Sequence, residues 1–121
     1  MLGLKKMKSN YIPDRQDIIW INFLPSVGEE IRGRHPAVVL STKIYSELTG
    51  LVLVAPITHA ANNRLKDFFI PIKSSKNIEG FINPLQIFTF SFKKRKTEYS
   101  GEILTDSTYA MVHKRIKQLI D

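Results

Sequence analysis

Apolar residues in this chain come in short runs of β-branched and aromatic side chains, each stopped by proline, glycine or a polar cluster, and only the C-terminal segment departs from that rule. Asp17-Ile-Ile-Trp-Ile-Asn-Phe23, Pro36-Ala-Val-Val-Leu-Ser-Thr42, Leu51-Val-Leu-Val-Ala-Pro-Ile57 and Asp67-Phe-Phe-Ile-Pro-Ile72 read as strands. Pro56 marks the end of its strand or a bulge in it. Residues 43–48 read as a helical turn ahead of Gly50, and residues 74–80 as a turn region. Residues 81–92 alternate apolar with polar in their second half, and a last short strand follows near residues 99–103. Thr105 then offers an N-cap, with Asp106 suited to the first turn of a helix running to about Ile120. Val112, Ile116, Leu119 and Ile120 fall on one face of that helix. Five or six short strands with one terminal helix, and no βαβ alternation, predict a mainly β (α+β) fold in which a small sheet curls into a barrel.

A length of 121 residues suits one domain, expected over residues 11–121 behind a frayed N-terminus at 1–10. Eighteen Lys and Arg against 11 Asp and Glu leave a formal charge of +7, a field that draws a polyanion, with nucleic acid the first candidate. An acidic protein or an anionic membrane surface is drawn by the same field. The absence of cysteine excludes disulfides, thiolate catalysis and cysteine-ligated metal, and leaves three histidines as soft ligands. No apolar run approaches the roughly 20 residues of a spanning helix, so a cytoplasmic protein is expected.

Three segments, in order, resemble the MazF/PemK/Kid toxin family: Asp17-Ile-Ile-Trp-Ile-Asn-Phe23, Gly28-Glu-Glu-Ile-Arg-Gly-Arg-His-Pro-Ala-Val-Val-Leu-Ser41 and Val54-Ala-Pro-Ile-Thr58. A weaker likeness continues through residues 80–90 into the terminal helix. The resemblance implies an SH3-like barrel of five to seven strands and a homodimer. It also implies a sequence-selective, metal-independent endoribonuclease blocked by a cognate antitoxin whose acidic or apolar tail fills the RNA groove. Single-stranded RNA and the antitoxin are the expected partners, DNA being reached only through the antitoxin complex, with no cofactor, metal or membrane. The family places an arginine immediately before the proline of the second segment and uses it with a threonine at the end of the third. Here His35 precedes Pro36, Arg34 sits one residue earlier, and Thr58 is retained. Where some members use an aspartate in the later strand, this chain has Asn83-Pro-Leu-Gln86.

Metal-free RNA cleavage needs a group to take the 2′-hydroxyl proton, one to protonate the leaving oxygen, and a cation beside the crowded phosphate. His35 is favoured as the acid or base because imidazole titrates near neutrality, with Arg34 as the phosphate clamp. Neighbours on an extended strand point to opposite faces, so the alternative has Arg34 entering the site and His35 turned away. Thr58 would hydrogen-bond the phosphate or the attacking hydroxyl. His35 and Thr58 have ordinary readings too, as a backbone-bonded histidine and a strand-end hydroxyl. Glu30 either holds Arg34 or reads a base, and is equally well a solvated ion pair. His59 is a second titrating group beside Thr58 or a surface residue. Asn62, Asn63 and Arg64 suit a loop that lines an RNA groove, and Gln86 suits a base-contacting amide. Lys93, within Lys93-Lys-Arg-Lys96, either contacts phosphate or belongs to a solvated turn. Trp20 is read as core or dimer contact, and His113 as surface or interface. Two other functions fit the same fold: a gyrase inhibitor of the CcdB type, and a basic SH3-like nucleic-acid-binding module without chemistry.

Overall fold

The computed structural model describes residues 10–24, 33–59 and 64–121. Strands β1 (Asp17–Asn22), β2 (Arg34–Val39) and β3 (Leu51–Thr58) form an antiparallel meander, with helix α1 (Lys43–Thr49) between the last two. A 3₁₀ turn (Lys66–Phe68) leads to β4 (Ile70–Lys73), followed by β5 (Glu79–Ile82), β6 (Phe88–Ser91), β7 (Glu98–Ile103) and helix α2 (Asp106–Ile120). The sheet runs β4-β5-β3-β2-β1-β7, and β6 joins the outer edge of β3. All pairings are antiparallel, so the seven strands make a strongly curled half-barrel with a C-terminal helix.

The first three strands read as unbroken apolar runs because both of their faces are buried. Ile18, Val38, Ala55 and Ile57 pack on one side with Ile70, Ile82 and Val112 of α2. Ile19, Ile21, Ala37, Val39, Val52 and Val54 pack on the other, beneath Phe92, Tyr11 and Ile12. Alternate residues of one strand therefore feed two cores, the period-two rule applied to both faces.

β3 serves two partners on its outer edge. Residues Leu51 to Val54 pair with β6, and Ile57 and Thr58 pair with β5. Pro56 lies in the gap between those ladders, where its missing N–H costs nothing, and β3 continues through it to Thr58, one residue past the expected Ile57. The strand expected over Asp67 to Ile72 is shorter, because the 3₁₀ turn takes its first half. Residues 81–92 divide into the end of β5, a turn at Asn83, and β6. α2 begins as expected, with Thr105 accepting from the Thr108 N–H. Its apolar face is narrower than its spacing predicted: Val112 is buried and Ile116 half-buried, while Leu119 and Ile120 are exposed. No helix among the described residues is long and apolar enough to cross a membrane.

Candidate active site

A cleft of about 730 Å³ opens where the start of β2 meets the end of β3. Trp20, Pro36, Ile57 and Ile78 form one wall, so Trp20 borders the cleft as well as packing against the core. The other carries His35, Thr58, His59, Gln86, Phe23 and Phe88. β2 starts at Arg34, two residues ahead of the expected Pro36, which places Arg34 and His35 on a regular strand with opposed directions.

The β2–β3 register runs Val39↔Val54, Val38↔Ala55 and Ala37↔Pro56. Continued two residues further, it sets His35 across from Thr58 on the same face of the sheet. The imidazole is exposed to the cleft and meets the Phe23 ring edge-on at 5.7 Å between centroids. Phe23 in turn packs edge-on against Phe88 and Phe90, whose rings stack at 5.5 Å. Such contacts, worth about 0.5–1.5 kcal/mol per pair, hold the imidazole against a firm backing. The half-buried Thr58 has a fully enclosed hydroxyl that makes no hydrogen bond among the described residues. A buried hydroxyl with no internal partner is an exception to the rule that enclosed polar groups are hydrogen-bonded, and it marks this position as unusual.

Thr58 is held in place by β5. Gly80 crosses it with a φ of 145°, and a Cβ there would come within 2.5 Å of the Thr58 carbonyl oxygen. Only glycine permits both that backbone and that approach.

Arg34 occupies the opposite face and is heavily engaged. Its Nη1 donates to Asn22 Oδ1 at 3.2 Å and to the Lys96 carbonyl at 2.9 Å, and its Nη2 donates to Glu98 Oε1 at 2.7 Å. The guanidinium is thus a fixed positive charge that stitches β1, β2 and β7 together, on a residue that also lines the cleft. Gln86 is exposed at the rim, and its carbonyl oxygen accepts from Asn83 Nδ2 at 3.2 Å. His59 follows Thr58 into the cleft, also exposed.

Glu30, Asn62 and Asn63 lie outside the described residues. Arg64 is exposed in a turn before the 3₁₀ helix and does not border the cleft. Lys93 borders a separate hollow beside Tyr11 and Glu47. From the basic run it is Arg95 that reaches toward the site. Its Nη1 donates to the Phe23 carbonyl at 2.6 Å, and its guanidinium lies 4.4 Å from the Phe90 ring centroid. The aromatic backing of Phe23, Phe88 and Phe90 was missed in the sequence, although two phenylalanines at alternate strand positions were its signal. His113 is exposed on α2, away from the cleft. Among the described residues no group of three or more His, Asp or Glu side chains is placed to hold a metal ion.

A family model for PemK-like, MazF-like toxins of type II toxin–antitoxin systems matches residues 14–120. The chain belongs to this family. It is 48% identical over 52 residues to the endoribonuclease toxin MazF of Escherichia coli (strain K12), a stretch covering 43% of this chain and 47% of that protein. The chain thus aligns with about half the length of that curated relative. Among solved structures, MazF from Deinococcus radiodurans superposes with a TM-score of 0.77 at 28% identity, covering 92% of this chain and 98% of the other. A MazE–MazF structure from the same organism gives 0.76 at 26% identity, covering 91% and 97%. The half-barrel and its terminal helix are those of the MazF-like fold.

Proposed function

We propose that this MazF-like chain is an endoribonuclease toxin that cuts single-stranded RNA without a metal, by attack of a 2′-hydroxyl on the adjacent phosphate. The carrying observation is that His35 and Thr58, from neighbouring strands, line one cleft, where the Thr58 hydroxyl has no hydrogen-bond partner among the described residues. The E. coli relative is named an endoribonuclease, which supports the same reading.

In the reaction, O2′ forms a bond to phosphorus while the bond from phosphorus to O5′ breaks, leaving a 2′,3′-cyclic phosphate and a 5′-hydroxyl. The RNA supplies its own nucleophile, so DNA is inert. His35 moves the proton, with His59 as the second titrating group available in the cleft. The Thr58 hydroxyl donates to a phosphate oxygen. Arg34, fixed by Glu98 and Asn22, contributes positive potential rather than a mobile clamp. Glu30, Asn62, Asn63, Arg64 and Lys93 remain candidates for RNA contact. The working form is a cytoplasmic homodimer, and a cognate antitoxin silences it by covering the cleft. The apolar wall of Trp20, Pro36, Ile57 and Ile78 suits apolar side chains of such a partner.

The test is to incubate the protein with mixed-sequence single-stranded RNA and its DNA counterpart in excess EDTA and to map the ends. RNA cut at a few short sequences with cyclic phosphate ends, and intact DNA, is the expected result. RNA left whole in both EDTA and magnesium refutes the reading.

A further inference from the structure

The turn between β5 and β6 fixes which end of the Gln86 amide faces the cleft. Asn83 is buried, and its backbone N–H donates to the Pro56 carbonyl at 2.9 Å, tying the turn to the strand that carries Thr58. Its side-chain Oδ1 accepts from the Leu85 N–H at 3.0 Å. A backbone N–H can only donate, so this bond settles the orientation of the Asn83 amide without ambiguity. Nδ2 is then the atom directed at Gln86, and the atom it meets at 3.2 Å has to be the acceptor Oε1. The Gln86 NH₂ is left as the end of that side chain available at the cleft rim, and it presents donors only.

We infer that Gln86 is a donor-only reader of a base next to the scissile bond, selecting an exocyclic keto group (O4 of uracil or O6 of guanine) over the amino group of cytosine or adenine. Asn83 is its positioning residue. This inference rests on the cleft being an RNA-cleaving site, and it adds a rule for which RNA is cut. A donor facing an amino group has no partner and keeps that base out; one well-made amide contact separates bases by about tenfold or more.

The polarity is reversible. In Asn83→Asp the carboxylate still accepts from Leu85 N–H, but its second oxygen can only accept, so the Gln86 amide turns over and shows its carbonyl to the cleft. Gln86→Glu reaches the same acceptor-only state from the exposed partner without altering the buried turn, and so guards against a folding defect in the first variant.

The experiment is to sequence the cut ends of a mixed-sequence RNA for the wild type, Asn83→Asp and Gln86→Glu. The expected result is that one position beside the cut is U or G in the wild type by about tenfold or more, and that both variants shift it toward C or A. A structural defect alone lowers cutting at every sequence equally and leaves that preference where it was. Cutting that persists with an unchanged base at every position overturns this inference and leaves the ribonuclease reading intact. RNA left whole by the wild type overturns both.

Discussion

His35 is where the proposed chemistry of this cleft concentrates, because its imidazole lines the cleft together with Thr58. His35→Ala is expected to lower RNA cleavage by about 10²-fold or more, the usual loss of a general acid–base group, while RNA binding persists. Single-turnover rates beside a binding isotherm check this, and unimpaired cleavage sinks the assignment. Arg34→Ala has a different signature: it removes a charge and three hydrogen bonds at once, so both binding and thermal stability fall. Asp17 supplies a pH dependence unconnected with catalysis. Burial pushes its carboxyl above the ordinary range, although hydrogen bonds from the Tyr11 hydroxyl at 2.5 Å and the Asp14 N–H at 3.0 Å pull the other way. The folded state therefore holds this proton more tightly than the unfolded chain. That contribution is complete below the ordinary carboxylate pKa and is lost as pH rises through the raised value. Tyr11→Phe removes a donor that favours the ionised form, so it is expected to cost about 1.5–3 kcal/mol at pH 7 and less at pH 4. Urea unfolding at the two pH values measures the difference, and equal losses contradict the linkage.

At the scale of elements, the end of β3 is the critical piece, since it presents Thr58 and is gripped by β2 on one side and β5 on the other. Gly80→Ala puts a methyl group within 2.5 Å of the Thr58 carbonyl on a backbone that L-residues avoid. A loss of about 1–3 kcal/mol is expected from the strain, with cleavage falling more than stability alone explains because Thr58 is displaced. Activity at a temperature where the variant is fully folded separates the two effects. α2 depends on its cap: Thr105→Ala leaves the Thr108 N–H without its partner and is expected to cost about 1 kcal/mol with catalysis unaffected.

For the whole molecule, the +7 charge sets the expectation that RNA affinity falls steeply with salt. Raising salt from about 50 to about 200 mM is expected to weaken binding about tenfold or more if a few phosphates are contacted. A flat salt response contradicts phosphate contact. The dimer belongs to this scale too: sedimentation at micromolar concentration is expected to give twice the 13.9 kDa chain mass, and a fully active monomer ends that proposal.

The fold class was legible in local sequence because short apolar runs report burial directly and one capped amphipathic segment reports a helix. The family resemblance, carried by ordered segments around Trp20, Pro36 and Thr58, pointed to the same half-barrel. His35, Thr58 and Gln86 were identifiable as residue types, yet nothing local showed that they share a cleft. That depends on register, because a one-residue slip of β2 would have turned His35 to the other face of the sheet. The capture of Arg34 by Glu98, the aromatic backing under His35 and the orientation of the Gln86 amide are likewise tertiary facts. Sequence period determines which face of a strand is apolar, whereas long-range pairing decides which strand lies beside it and so what each polar side chain meets.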